Sequence, residues 1–182
     1  MSLADEVIAI YQIRGTEAYF GERVSMTEHA LQAAFFARQA DAPPELVLAA
    51  LLHDIGHLLE AAPEFEQWSV DARHEEVGSR WVGRRVRPEV AGPILLHVAA
   101  KRYLCATDAD YIRMLSPASV VTLKLQGGPM TSPEISAFEA EPAFRNAVRI
   151  RHWDDQGKVA GLRTPGLADY RELIDSFAVR NT

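Results

Sequence analysis

The sequence predicts an all-α fold, a bundle of helices without a sheet. Two observations carry this: apolar residues recur at helical spacing through most of the 182 residues, and alternating strand patterns are scarce. Val120-Val121 is too short to count as a strand. Val7, Ile8, Tyr11 and Ile13 mark a first short helix that ends at Gly15. Residues 16–25 read as a loop, after which Thr27 is the expected cap of a helix whose face is Ala30, Leu31, Ala34, Phe35 and Ala37. Ala42-Pro43-Pro44 breaks that helix, and Pro44 opens the next, because a missing N–H costs nothing in a first turn. This helix runs through Leu46, Ala49, Ala50, Leu51 and Leu52 into the pair His53-Asp54. Pro63 ends the segment, and a loop is expected as far as Val70. Further helices are expected around 72–84, 88–103, 108–113, 117–126, 132–138, 142–152 and 167–179, with Gly127-Gly128-Pro129 as a turn.

The length fits one domain spanning residues 1–182, large enough to bury a core without disulfides. Cys105 is the only cysteine, so no intramolecular disulfide exists and a reducing compartment is expected. The first residues lack a basic start and a signal-length apolar run, and no stretch approaches the roughly 20 apolar residues of a bilayer span. A cytoplasmic protein with no membrane partner is the expectation. A net charge of −6 argues against a nucleic-acid surface but leaves room for a locally cationic pocket that binds a small anion. Nothing in the pattern indicates an oligomeric state.

Six histidines occur, and a lone one on a helix is more often a surface or satisfied core residue than a ligand. His53 and Asp54, however, follow an apolar run that drives them toward the core, where a bare polar pair is costly. A divalent ion would offset that cost, since imidazole and carboxylate ligate iron, manganese or zinc well. His29 lies one helix earlier, and Asp154 lies downstream in Arg151-His152-Trp153-Asp154-Asp155. The order His, His-Asp, Asp resembles the HD superfamily. His29, His53, Asp54 and Asp154 can fill one site, while His74 and His97 can serve a second metal with Asp54 bridging.

Other polar residues share faces with these ligands. His57 follows His53 by four residues, Lys101 follows His97 by four, and Arg151 precedes Asp154 by three. Ser119, Thr122 and Gln126 fall on one helical stripe. These are the donors and cations a phosphate or phosphonate needs. Taken alone, Lys101 and Arg151 would read as surface charges, and the stripe as an exposed polar face.

The blocks Tyr19-Phe20-Gly21-Glu22, Glu28-His29-Ala30-Leu31-Gln32 and Leu51-Leu52-His53-Asp54-Ile55-Gly56-His57 resemble the HD-domain mixed-valent diiron phosphonate oxygenases. So do His97-Val98-Ala99-Ala100-Lys101-Arg102-Tyr103-Leu104, Leu125-Gln126-Gly127-Gly128-Pro129-Met130, and Trp153-Asp154 with Gly157-Lys158. Together these span about residues 19 to 170, and Leu58 to Arg73 departs most from the family pattern. The resemblance implies a dioxygenase with an HD-domain helical bundle and two irons (Fe2+/Fe3+) on His29, His53, Asp54, His74, His97 and Asp154. It implies a mobile lid at about residues 16–25, with Tyr19 capping an iron and Glu22 beside the substrate. His57, Lys101, Ser119, Thr122 and Arg151 would hold the phosphonate. The implied partners are dioxygen and a small organophosphonate: 1-hydroxy-2-aminoethylphosphonate or its trimethylammonio counterpart. The implied products are phosphate and glycine or glycine betaine. For the amine end, Trp68, Tyr103 and Trp153 are aromatic candidates. The rival reading is a metal-dependent HD phosphohydrolase acting on a small phosphate ester; a degenerate domain serving as a ligand sensor is opposed by the complete ligand set. Without the resemblance, Tyr19 reads equally well as a core aromatic.

Overall fold

The computed structural model describes residues 1–17, 19, 21–59 and 73–179. Among these residues the chain is helical throughout: α1 Leu3–Arg14, α2 Met26–Gln39, α3 Pro44–Leu52, α4 Gly56–Leu59, α5 His74–Gly83, α6 Pro88–Thr107, α7 Tyr111–Met114, α8 Pro117–Leu125, α9 Ser132–Glu139 and α10 Phe144–Gln156. A 3-10 turn, Leu167–Tyr170, then leads into α11, Arg171–Ser176. An isolated antiparallel bridge pairs Val86 with Ala178. No described helix is long and apolar enough to cross a membrane. The loop expected after Pro63, and Trp68 with it, lies outside the described residues.

The helix at the centre is α3. Every residue from Leu46 to Leu52 is buried, which is why its sequence is apolar all round instead of striped. Pro44 starts it in the first turn, as expected. Around it pack α2, α6, α10 and α11, with α5 laid along α6. Tyr11 of α1 ties itself to this centre by donating its buried hydroxyl to Leu51 O at 2.6 Å, a bond worth about 1 kcal/mol net.

Several boundaries differ from the sequence reading. The cap of α2 is Ser25 rather than Thr27: Ser25 Oγ accepts from Glu28 N, and Glu28 reaches back to Ser25 N in a capping box. Thr27 lies inside the helix and donates its hydroxyl to Tyr11 O instead. α6 runs four residues past the expected end. α10 carries on to Gln156, because Gly157 N still donates to Trp153 O and Asp154 O, so Asp154 sits within a helix. The last expected helix stops at Ser176 and is preceded by the 3-10 turn.

Two glycines set the helix spacing that matters for the site. A methyl on Gly56 would lie 2.0 Å from His74 O and 3.0 Å from Gly78 N. Gly56 and Gly78 thus face each other and let α4 and α5 approach closely enough to bring His74 beside Asp54.

Candidate metal centre

Five side chains from five parts of the fold converge on Asp54, making a cluster of six. His29 comes from the first turn of α2, His53 from the end of α3, His74 from the start of α5, His97 from the middle of α6 and Asp154 from α10. All six are buried. Asp54 Oδ2 lies 3.4 Å from His53 Nε2 and 3.6 Å from His29 Nε2. Asp54 Oδ1 lies 3.3 Å from both His74 Nε2 and His97 Nε2. One carboxylate thus serves two pairs of imidazoles, one pair per oxygen. Asp154 joins the first pair, its Oδ1 standing 3.5 Å from His29 Nε2 with no hydrogen-bond partner.

The main chain fixes the imidazole tautomers. The Nδ1–H of His29 donates to Gly157 O (2.9 Å), that of His53 to Ala50 O (2.8 Å) and that of His97 to Ile94 O (2.7 Å). A carbonyl can only accept, so in these three rings Nε2 carries a lone pair aimed inward. Yet the inward lone pairs of His29 and His53 meet at an Nε2–Nε2 distance of 3.1 Å; His74 Nε2 stands 3.1 Å from His97 Nε2, where the tautomer of His74 decides whether it donates. Facing lone pairs repel unless a cation lies against both. A proton is not the natural occupant at His53, because burial pushes its imidazole down to about 4, against the attraction of Asp54 and Asp154. The orphaned Asp154 oxygen makes the same demand. Imidazole nitrogens and carboxylate oxygens in this mixture suit a transition-metal ion.

Both aspartates are held ionised. Burial opposes the charge on Asp54, but the imidazoles around it, His53 first and then His29, His74 and His97, outweigh it and hold the carboxyl well below its usual range. Asp154 is likewise held low despite burial, first by Arg151 and then by Lys158. A neutral His53 beside two ionised carboxylates is ready to bind a metal ion without first losing protons.

Around this centre the other anticipated residues take distinct places. Tyr19 is buried, stacks on the His29 ring at 3.9 Å between centroids, and donates its hydroxyl to Asp54 Oδ2 at 2.8 Å. It thus touches the centre while also belonging to the main core. Burial, then the charges of Asp54 and Asp154, push its phenol well above the usual value. Glu22 sits in the same turn, its N–H donating to Tyr19 O, and its buried Oε1 has no hydrogen-bond partner among the described residues. His57 stacks on His74 at 3.8 Å, and its ring lies close enough to Asp54 and His74 to share an ion with them. The ring is thus placed against the second pair.

Lys101 is buried one turn after His97 and donates to Thr122 Oγ1 at 2.8 Å. Ser119, one turn earlier on α8, accepts from Arg151 Nη2 and Lys158 Nζ. Gln126 ends α8 with its Oε1 buried and without a hydrogen-bond partner among the described residues. Arg151 pairs with Asp154 and Asp155. Tyr103 packs with Phe138 and Phe144 and donates to Glu139, while Trp153 lies in the main core.

Three residues that the resemblance blocks contain received no role from the sequence. Gly157 supplies the carbonyl that orients His29, and a methyl there would press on His29 Nδ1 at 3.2 Å. Gln32 clamps the next residue, accepting from Val159 N and donating to Val159 O, both at 2.9 Å. Lys158 lies between these two anchors. Only its place one turn after Asp154 could have drawn attention to it.

The HD domain family model matches residues 26–115. The chain is 44% identical over 162 residues to hydroxymethylphosphonate dioxygenase of Gimesia maris, covering 88% of this chain and 81% of that protein. It is 41% identical over 177 residues to the glycine-betaine-forming [1-hydroxy-2-(trimethylamino)ethyl]phosphonate dioxygenase of Leisingera caerulea, covering 95% and 89%. The chain belongs to the HD-domain phosphonate oxygenases. As a phosphonate oxygenase it is an all-α enzyme whose candidate metal ligands lie both inside the matched HD segment (His29 to His97) and beyond it at Asp154.

Proposed function

We propose that this chain uses dioxygen to cleave the carbon–phosphorus bond of a 1-hydroxy-2-aminoethylphosphonate, with a free or a trimethylated amine. The released products would be phosphate and glycine or glycine betaine. The observation that carries the reading is Asp54, which turns each oxygen toward its own pair of imidazoles and so provides for two ions. His29, His53, Asp54 and Asp154 would hold one iron, and His74, His97 and Asp54 the other, as a mixed-valent Fe2+/Fe3+ pair. When bound, the irons supply the redox chemistry with dioxygen.

The protein's own residues then bind, orient and screen. Lys101, Ser119, Thr122 and His57 gather donors on one side of the centre, as a phosphonate requires, with Arg151 behind them. Tyr19 and Glu22 act as a lid that keeps water from the centre until substrate displaces the phenol. The orphaned oxygen of Glu22 favours a free amine, whose N–H can donate to it, whereas a trimethylated nitrogen can meet only its charge. Gln126 offers a second orphaned acceptor near the end of α8.

The test is oxygen uptake and phosphate release by protein prepared anaerobically with ferrous iron, against the free-amine, trimethylated and hydroxymethyl phosphonates. Two irons per chain, and phosphate released in step with oxygen consumed on an aminated substrate, are expected. Activity on hydroxymethylphosphonate alone would remove the amine from the proposal. Zinc or magnesium only, with phosphatase activity and no oxygen uptake, would establish the hydrolase instead.

Tyr19→Phe is expected to keep both irons and to abolish any phenolate-to-iron absorption band of the resting enzyme. A band that persists unchanged would show that Tyr19 does not cap an iron.

A further inference from the structure

The geometry points to Lys158, not Arg151, as the cation that joins Lys101 in gripping the substrate's anionic group, with Arg151 acting as a positioning residue for Asp154 and Ser119. The inference rests on the phosphonate reading above and adds a binding residue to it.

Arg151 has little left to give. Its Nε donates to Tyr111 Oη (2.9 Å) and Asp155 Oδ2 (3.1 Å), its Nη1 to Asp154 Oδ2 (2.6 Å), and its Nη2 to Asp155 Oδ1 and Ser119 Oγ. Four of the five guanidinium N–H groups are therefore engaged inside the protein. Two buried carboxylates balance its charge, and Tyr111 braces the assembly by donating to Asp155 Oδ2. Such a group orients its neighbours and is poorly placed to exchange partners for an incoming anion.

Lys158 is the opposite case. Its side chain is nine-tenths buried, yet its ammonium makes one hydrogen bond, to Ser119 Oγ at 3.1 Å. The carboxylates of Asp154 and Asp155 stand beyond hydrogen-bond distance, at 3.6 and 3.8 Å. Two of three N–H donors thus lack an acceptor among the described residues, a costly state that a ligand oxygen would relieve. The ammonium lies between the orphaned Asp154 oxygen and the face of Tyr19, 5.8 Å from the ring centroid. Lys101 reaches the same stripe of α8 through Thr122, one turn from Ser119. Two lysines thus approach neighbouring hydroxyls from α6 and from the turn after α10. The position of Lys158 is itself secured, because Gly157 O is bonded to His29 and Val159 is clamped by Gln32.

The experiment measures competitive inhibition of oxygen uptake by inorganic phosphate, together with iron content and thermal midpoint. It compares wild type, Lys158→Met, Lys158→Gln and Lys101→Met. Loss of a charge-assisted hydrogen bond is expected to weaken phosphate about ten- to a hundredfold in both Lys158 variants, with iron content unchanged. Phosphate affinity within twofold of wild type in the Lys158 variants, beside a clear loss in Lys101→Met, would overturn the role of Lys158 and leave the phosphonate reading standing. Loss of iron in the Lys158 variants would overturn it as well, because Lys158 would then be supporting Asp154. A wild-type enzyme that neither responds to phosphate nor takes up oxygen with any phosphonate would remove the functional reading and this inference together.

Discussion

Asp54→Asn is expected to empty both halves of the centre in one substitution. The amide keeps the volume but loses the negative charge that both imidazole pairs face, and its nitrogen offers no lone pair to a metal. Iron should fall to a small fraction of wild type, and phosphonate-dependent oxygen uptake by at least about a hundred- to a thousandfold. Stability should move differently. In the metal-free protein a buried carboxylate is a burden on the fold, so the thermal midpoint of metal-free Asp54→Asn should match or exceed that of the metal-free wild type. Asp155→Asn is the comparison, since Asp155 touches Arg151 and not an imidazole; it should retain iron. If Asp54→Asn kept both metals, the shared-carboxylate arrangement would be wrong.

The second large effect is expected from a single methyl. In Gly56→Ala the new carbon would meet the main-chain oxygen of His74 at 2.0 Å, and neither partner is a side chain that can swing aside. α4 and α5 must separate. The cost is about 3 kcal/mol or more, which for a domain of this size lowers the midpoint by roughly 6–12 °C. The same separation carries His74 away from Asp54, so iron should fall toward one per chain where the protein still folds. Gly83→Ala would meet only Ala91 Cβ at 3.6 Å and should be close to neutral. Thermal melts and metal analysis on the pair decide the matter, and equal midpoints would refute the close-approach argument.

The helices were legible because their apolar periodicity is local, and α3 stood out as an unbroken apolar run closed by His53-Asp54. The metal ligands were legible because few chemistries need that residue order. What escaped was set by tertiary contact. Ser25 displaced Thr27 as a cap because Thr27 found Tyr11 O across the α1–α2 corner. Tyr103 and Trp153 offered aromatic faces on paper, but the packing of α6, α9 and α10 consumed them. Arg151 and Lys158 carry the same formal charge in sequence; only the partners of each nitrogen distinguish a braced guanidinium from an ammonium with donors to spare. Gly56 and Gly157 stood within the family blocks, but their roles were not legible, because their value lies in what comes near them.

The carbonyls that orient His29, His53 and His97 have a consequence for how such a protein can change over generations. The aim of three ligands is written in main-chain atoms, which a substitution at Gly157, Ala50 or Ile94 alters only by moving the backbone itself. Side chains lining the rest of the cavity are free to drift without turning those rings. An oxygen-activating core insulated in this way can be inherited intact while the pocket is refitted. Relatives named for a hydroxymethyl and for a trimethylamino phosphonate are what such a division of labour would produce.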